Sequence, residues 1–537
     1  MNEQFTSVFT TTEYKSIPIT NPTVIMPEIL ITKKGVEKIL KGLNATKAMG
    51  PDAIHPYILK ELSHELSEVI THFFQQSIDD GTIPKEWKNA NICPLFKKND
   101  RTIPSNYRPV SLTCILCKLL EHIVCSNMMS HFEENNILND RQHAFRKNRS
   151  CETQLVNVIH DWAEAIDNQQ QTDIFILDFE KAFDTVPHEL LKSKLHGYGV
   201  NKKVLNWIDS FLTNRQQCVV VNGTSSSHKE VASGVPQGTV LGPILFLVHI
   251  NDISKDVSSE IRLFADDCVC YRDIKTIEDC DELQKDIDTL GAWAEKWGMR
   301  FQQTKCNMMQ LSRKRERLKY KYTLKNTELE FLESIKYLGV NITNDLHWGK
   351  HIDEICNKSY RTLGLLRRNL SACNQEVRLQ AYKGLMRPVL EYACSAWDPQ
   401  QLYLQEKLEK VQKQAARFVT SNYSYEPGSM TAILEQLELE SLQERRKKCR
   451  LTLFCKGIYQ QAAVPTNILQ KPKFRTRHMH SQYHTRPGTS GDTFKNSFMP
   501  MTLRDWNLLP HEVINKTEAS ENPAKTFAEI VKGGAGF

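Results

Sequence analysis

Apolar residues along this chain recur with two different periods, and the switches between them mark the elements. ILITKKGVEKILKGL repeats at helical spacing and is broken by Gly50-Pro51-Asp52. PYILKELSHELSEVITHFFQQSI predicts a second continuous helix, and IPKEWKNANICPLFKKND then alternates like a strand before a basic turn. CETQLVNVIHDWAEAI puts Leu155, Ile159, Trp162 and Ile166 on one helical face. The next run, TDIFILDF, is short, β-branched and almost wholly apolar, the pattern of a central strand covered on both sides, with Asp178 near its end. Hairpins are predicted around Asn222-Gly223 and at RLFADDCVCY, and DELQKDIDTLGAWAEKWG predicts a helix stopping at Gly298.

Beyond residue 350 the period is helical throughout, which predicts a separate helical domain, and the signal weakens after about 425. Residues 1–28 are polar and Pro-dotted and predict a tail. Taken together the pattern predicts an α+β domain over 78–344, preceded by a helical extension over 29–77 and followed by a helical unit over 345–424 and a C-terminal region over 425–537.

Composition narrows the class. A chain of 537 residues with 40% hydrophobic and 25% charged positions is ordinary for a multidomain globular protein. Fifteen scattered cysteines without a repeated CxxC pair suit reduced thiols better than a disulfide framework, and Cys114 and Cys117 fall on an apolar helical stripe as buried structural residues. The amino terminus has no secretory pattern and the apolar run GPILFLVHI is too short to span a bilayer, so a soluble intracellular protein, nuclear and cytoplasmic, is expected. A net charge of +6 is compatible with a polyanionic partner. Two basic runs, RKRERLKYKY and ERRKKCR, could track a phosphate backbone or simply face solvent.

The chemistry starts at RLFADDCVCY. An acidic pair at a turn is common and most such pairs bind nothing. Here the flanks read as core strands, so Asp266 and Asp267 would stand on a hairpin tip fixed to a packed sheet, a costly arrangement unless a cation neutralises them. Hard oxygen ligands on a rigid support suit Mg²⁺, and Asp178 at a buried strand end is the candidate third ligand. Three such carboxylates could hold two ions about 3.5–4 Å apart, the arrangement that serves phosphoryl displacement.

Several longer segments in order along the chain carry a family resemblance. FILDFEKAFDTVPHELL, SGVPQGTVLGPILFLVHINDI, RLFADDCVCY and KYLGVNIT resemble the palm motifs of reverse transcriptases from non-LTR (LINE-type, Jockey and CR1-like) retrotransposons. IPKEWKNANICPLFKKNDRTIPSNYRPVSLTCILCKLLEHIV resembles their fingers motifs, and YKGLMRPVLEYACSAWDP with LEKVQKQAARFV resembles their thumb. The resemblance implies a right-hand polymerase of fingers, palm and thumb with an additional mostly helical C-terminal region.

It also implies roles. Asp178, Asp266 and Asp267 match the metal-binding triad for two Mg²⁺ ions (or Mn²⁺), with the Phe179 carbonyl as a further ligand. Phe183 matches the steric gate that selects dNTPs, Gln237 and Gly238 the loop lining nucleotide and template, and Lys98 and Arg108 the triphosphate clamp. Lys305 matches the lysine that protonates the leaving pyrophosphate, and Tyr337, Leu338 and Gly339 match the primer grip. Lys181 and Asp184 follow the family pattern and are read as structural. Where the family has glycine, this chain has Ala144 and Asn148, which puts the turn of QHAFRKNRS in question.

The implied activity is RNA-directed DNA polymerisation, with RNA template, DNA primer and dNTPs as partners and no membrane. No upstream endonuclease, ribonuclease H or CCHC knuckle pattern is visible; His478, His480 and His484 near Cys449 and Cys455 lack knuckle spacing. The rival readings are a domesticated RNA-binding protein without catalysis, which would gain little from clustered carboxylates facing a polyanion, and a palm-type nucleotide cyclase, which would need no duplex channel.

Overall fold

A computed structural model describes residues 1–10 and 21–533. At its centre is a four-stranded antiparallel sheet in the order Glu260–Phe264, Asp267–Ile274, Gln171–Leu177, Asn307–Leu311. Gln171–Leu177 is buried along nearly its whole length, as a central strand covered on both faces must be. Its one buried charge, Asp173, is accommodated by hydrogen bonds from Tyr322 Oη (2.9 Å) and Gln171 Nε2 (3.1 Å).

Side chains alternate across this sheet and feed two different cores. Phe175, Leu177, Cys268, Cys270 and Met308 point into the first, which takes in helices Ile115–Glu134, Gly242–Ile250 and Ile277–Lys296 and the amino-terminal helices. Ile174, Val269, Tyr271, Met309 and Leu311 point into the second. That second core runs from helix Cys151–Asp167 through the hairpin 334–343 and helices Gly349–Leu370 and Leu402–Thr420 to Val531. The helices beyond residue 350 therefore share one interior with the sheet, where the sequence predicts a separate unit.

Beside the central sheet lies a five-stranded one in the order Tyr107–Leu112, Asn89–Phe96, Arg215–Val221, Thr224–Ser225, with Lys229–Val231 also paired to Arg215–Val221. Its basic hairpin pairs Leu95 with Arg108 and Phe96 with Tyr107. The Asn222-Gly223 turn forms as predicted, with both residues at positive φ (50° and 79°). All fifteen cysteines are free, and burial pushes the Cys114 thiol up to about 12.

Other expectations are corrected. The predicted helix from Pro56 is two, Pro56–Glu61 and Ser63–Asp80, separated by Leu62, whose ψ of 25° leaves the helical range. Within the stretch read as a polar tail, residues 11–20 lie outside the described residues, but two of its apolar side chains dock while Val24 and Ile25 stay exposed: Phe5 packs with Ala90, Ile92 and Val219, and Met26 is buried in the first core. After residue 425 the chain is well formed, with helices Leu442–Ile458, Phe498–Trp506, His511–Glu518 and Pro523–Lys532.

The run ERRKKCR is neither a solvated face nor a free basic surface. Arg446 is fully buried and bonds Asp398 at 2.7 Å, Arg450 joins Asp398 and Asp505, Arg445 pairs with Glu391, and Lys448 pairs with Glu440. A buried arginine must be paired to be tolerated, so this cluster is consumed internally. RKRERLKYKY, by contrast, lies in the connection between Asn307–Leu311 and Thr323–Leu324, its lysines and arginines exposed and its last residue, Tyr322, buried.

Candidate active site

The ladder between Gln171–Leu177 and Asp267–Ile274 ends on the pair Leu177 and Cys268, so the next residues outward, Asp178 and Asp267, face each other at adjoining strand ends. Asp266 belongs to the tight turn closed by the pair Phe264 and Asp267. The turn is strained: Ala265 has a φ of +53°, a conformation that costs an alanine about 1–3 kcal/mol. It is held in that state by Gln142, whose Oε1 accepts from Ala265 N at 3.0 Å and from Ala144 N at 2.9 Å. Gln142 was not singled out in the sequence. Its loop, which lacks the family's glycines, turns instead at Phe145 (φ +55°) and Asn148 (φ +62°), the latter a residue that tolerates this region.

Burial pushes the Asp266 carboxyl above its ordinary range, and the charge of Asp178 adds to the shift. Asp267 is open to solvent on one side with dense protein beneath; burial first, then the charges of Asp266 and Asp178, push it up to about 6. Lys97 and Arg108 oppose both shifts, so these two cations reach both carboxylates.

Lys97 is the second residue the sequence did not single out. Lys98, the expected clamp residue, is exposed in the adjacent turn and acts on Lys97 as a like charge. Burial, Arg108, Lys305 and Lys98 together lower the Lys97 pKa, while Asp178 raises it. Strand pairing decides between them: Leu95 faces Arg108, and Lys97 lies two residues beyond Leu95, on the same face of the hairpin. Lys98 falls on the other.

Lys305, on the short turn Gln303–Lys305, places its Nζ 3.1 Å from Asp178 Oδ1. The backbone beyond Asp178 is fixed by Gln302 N donating to Asp178 O (2.8 Å) and Glu180 N donating to Arg300 O (2.8 Å). These bonds use the carbonyls of Asp178 and Arg300, not that of Phe179, whose ring packs tilted against Phe301 at 4.5 Å.

Phe183 lies in the turn Ala182–Thr185, stacked at 4.4 Å on Phe246. Gln237 O accepts from Ser111 N at 2.7 Å, and Gln237 Nε2 donates to Asp184 Oδ1 at 2.9 Å. Gly238 has φ +98°, and a Cβ there would stand 2.9 Å from Ser111 O, so glycine is needed for the approach of this loop to the basic hairpin. Leu338 and Gly339 form the two-residue turn of the hairpin 334–343, both at positive φ (45° and 85°). Tyr392 Oη donates to Leu338 O (3.0 Å), and the buried Tyr337 hydroxyl accepts from Gln154 Nε2 (3.1 Å). Burial raises the Tyr337 pKa, and the charge of Asp267 adds to it, which sets this hairpin beside the carboxylates.

Among the described residues no three His, Cys, Asp or Glu side chains are placed to hold one metal ion between them. The carboxylates meet at adjoining strand ends without closing on a common point, and Asp178 is turned to the Lys305 ammonium. The donor set nonetheless fits Mg²⁺: its oxygens are hard, burial disfavours ionisation of two of the three even with Lys97 and Arg108 nearby, and this ion commonly takes one or two carboxylates and completes its shell with water and substrate phosphate.

The site is thus a set of strand-end carboxylates on an antiparallel sheet, rimmed by lysine and arginine. Residues 96–342 match the reverse transcriptase (RNA-dependent DNA polymerase) family. That match covers somewhat under half of the chain, and the proteins similar to it over a longer stretch are named as RNA-directed DNA polymerases of transposons and mobile elements. It is 28% identical over 400 residues to a probable RNA-directed DNA polymerase from transposon X-element of Drosophila melanogaster, covering 72% of this chain and 43% of the relative. It is 28% identical over 386 residues to the RNA-directed DNA polymerase from mobile element jockey of the same organism (69% and 42%), and 26% identical over 459 residues to the probable enzyme from transposon BS (81% and 50%). The chain thus spans half or less of the length of these relatives.

Proposed function

We propose that this chain is an RNA-directed DNA polymerase that adds dNTPs to a primer 3′-OH in retrotransposon reverse transcription. The observation that carries the reading is the meeting of Asp178, Asp266 and Asp267 at adjoining strand ends opposite Lys97 and Arg108. A protein that only grips RNA would be repelled by those carboxylates, which disfavours the binding-only reading.

In this reading the four-stranded sheet is the palm within a polymerase domain over 78–344, the basic hairpin with the extension 29–77 forms the fingers, 345–424 the thumb, and 425–537 a helical appendage. No helix among the described residues is long and apolar enough to cross a membrane. Asp178, Asp266 and Asp267, with the Phe179 carbonyl, would hold two Mg²⁺ ions. When bound, such ions activate the attacking hydroxyl and neutralise charge on the leaving pyrophosphate.

The remaining roles belong to the chain. Lys97 and Arg108 bind the triphosphate oxygens as fixed cations, with Lys98 adding to the local field. Lys305 donates a proton from Nζ to the leaving pyrophosphate oxygen. Phe183, backed by Phe246, occupies the space under the sugar and rejects a 2′-OH. Gln237 and Gly238 line the nucleotide, and Tyr337, Leu338 and Gly339 hold the primer end.

The test is extension of a DNA primer on poly(rA) with dTTP and Mg²⁺. The wild-type chain extends the primer, and the double variant Asp266→Asn, Asp267→Asn loses extension while still binding the primer–template. Equal extension by the double variant would remove the site.

A further inference from the structure

Asp184 was read from the sequence as a structural residue, yet it faces a residue of the proposed nucleotide pocket. Its Oδ1 accepts from Gln237 Nε2 at 2.9 Å. Burial raises its pKa, while the Gln237 hydrogen bond and the Lys181 charge hold it down. An ionised carboxylate accepts hydrogen bonds and cannot donate them, so only the nitrogen end of the Gln237 amide can turn toward it. The oxygen end, Oε1, is thereby directed away from Asp184.

The backbone of Asp184 is itself immobilised. Its N–H donates to Lys181 O (2.8 Å), and its carbonyl accepts from the Ser233 hydroxyl (2.8 Å). Ser233 Oγ in turn accepts from Thr10 N (2.8 Å), which ties the docked amino-terminal segment to the same point. Gly234, at φ +83°, closes the contact: a Cβ there would stand 2.6 Å from both the Phe183 and Asp184 carbonyl oxygens. Phe183 O also accepts from Val235 N (2.8 Å). Phe183 and Gln237, distant in the chain, are thus locked together through Asp184 and the Ser233–Val235 backbone.

We propose that Asp184 is a positioning residue for nucleotide binding: it fixes the Gln237 amide so that Oε1, an acceptor, faces the incoming nucleotide, and holds that amide in register with Phe183. This rests on the reading of Gln237 as a nucleotide-lining residue and assigns its partner. Asp184→Asn is nearly isosteric, but an asparagine can pair with either end of the Gln237 amide, so the preference for one orientation is lost.

The experiment compares steady-state primer extension by wild-type, Asp184→Asn, Gln237→Met and the double variant, with dTTP varied on poly(rA) and folding followed by thermal melting. Asp184→Asn raises KM for dTTP about tenfold, the scale of one charge-assisted hydrogen bond, with kcat little changed. Gln237→Met raises KM similarly, and the double variant is no worse than the worse single one. A merely packing role for Asp184 predicts that the isosteric variant leaves KM unchanged. A KM within twofold of wild type for Asp184→Asn, or additive effects in the double variant, would overturn the inference. Should Asp184→Asn melt out, a wild-type KM in Gln237→Met alone would overturn it as well. A wild-type chain that extends nothing would defeat the polymerase reading instead, which keeps the two failures apart.

Discussion

Lys305 Nζ stands 3.1 Å from Asp178 Oδ1, joining the first residue beyond the central strand to a short turn 127 residues later. Both side chains are roughly half exposed, 48% and 38%. A pair in that setting contributes little to folding, because water screens it and both side chains lose freedom to form it.

Lys305→Met should therefore leave the melting temperature within a degree or two of wild type, while extension falls about 100-fold, the lower range for loss of a positioned acid. Primer extension and calorimetry on the same preparation check it. A large drop in stability with unchanged turnover would make the pair structural.

Asp267 supplies a pH signature. Its carboxyl is raised to about 6 by burial and by its two acidic neighbours, so the folded chain binds that proton more tightly than the unfolded chain does. The penalty for ionising it is absent below the ordinary carboxylate range, appears as pH climbs through it, and is complete above about 6. In metal-free buffer, Asp267→Asn should accordingly gain in melting temperature over wild type as pH rises from about 4 to about 6, then hold that gain. Extension by the wild-type chain should fall as pH drops toward the ordinary carboxylate range, because protons then compete with the cation for the same oxygens.

Lys97 and Lys98 separate by face. Lys97→Ala should raise KM for dNTP about tenfold, the scale of one ionic hydrogen bond to phosphate, and Lys98→Ala by no more than about threefold. Steady-state extension with each variant decides it; the reverse order would return the role to Lys98.

Arg446 and Arg450 converge on Asp398, and Arg446 is entirely buried with Nη1 and Nη2 unpartnered among the described residues. Removing the shared anion strands two charges in the second core. Asp398→Ala should cost about 3–5 kcal/mol, measured by denaturant unfolding. Glu391→Ala, at the more accessible Arg445 pair, should cost less.

How much of this was legible beforehand follows from which physical signal each part sends. The central strand, the carboxylate hairpin and the Asn222-Gly223 turn were readable because local pattern decides them: period, apolar flanks and φ preference act over a few residues. Lys97 was missed because its role depends on the register between Leu95 and Arg108, which no local pattern fixes. Gln142 was missed for the same reason; it acts on Ala265 across a contact made only in the folded chain. The helix Leu442–Ile458 was obscured because arginines that look solvated by composition are buried against Asp398 and Asp505, so its charge pattern misstates its environment. Asp184 was read as structural because a carboxylate's function here depends on which amide end it faces.

The second core has a mechanical corollary. Helices Gly349–Leu370 and Leu402–Thr420 share one close-packed interior with Ile174, Val269 and Met309 of the sheet that bears the carboxylates at its strand ends. Surfaces packed that tightly do not swing apart about a linker; they slip by small sliding steps. On the proposed reading, a duplex moving over this chain would be tracked by shear along that seam, with the strand ends that bear the carboxylates serving as its fixed bearing.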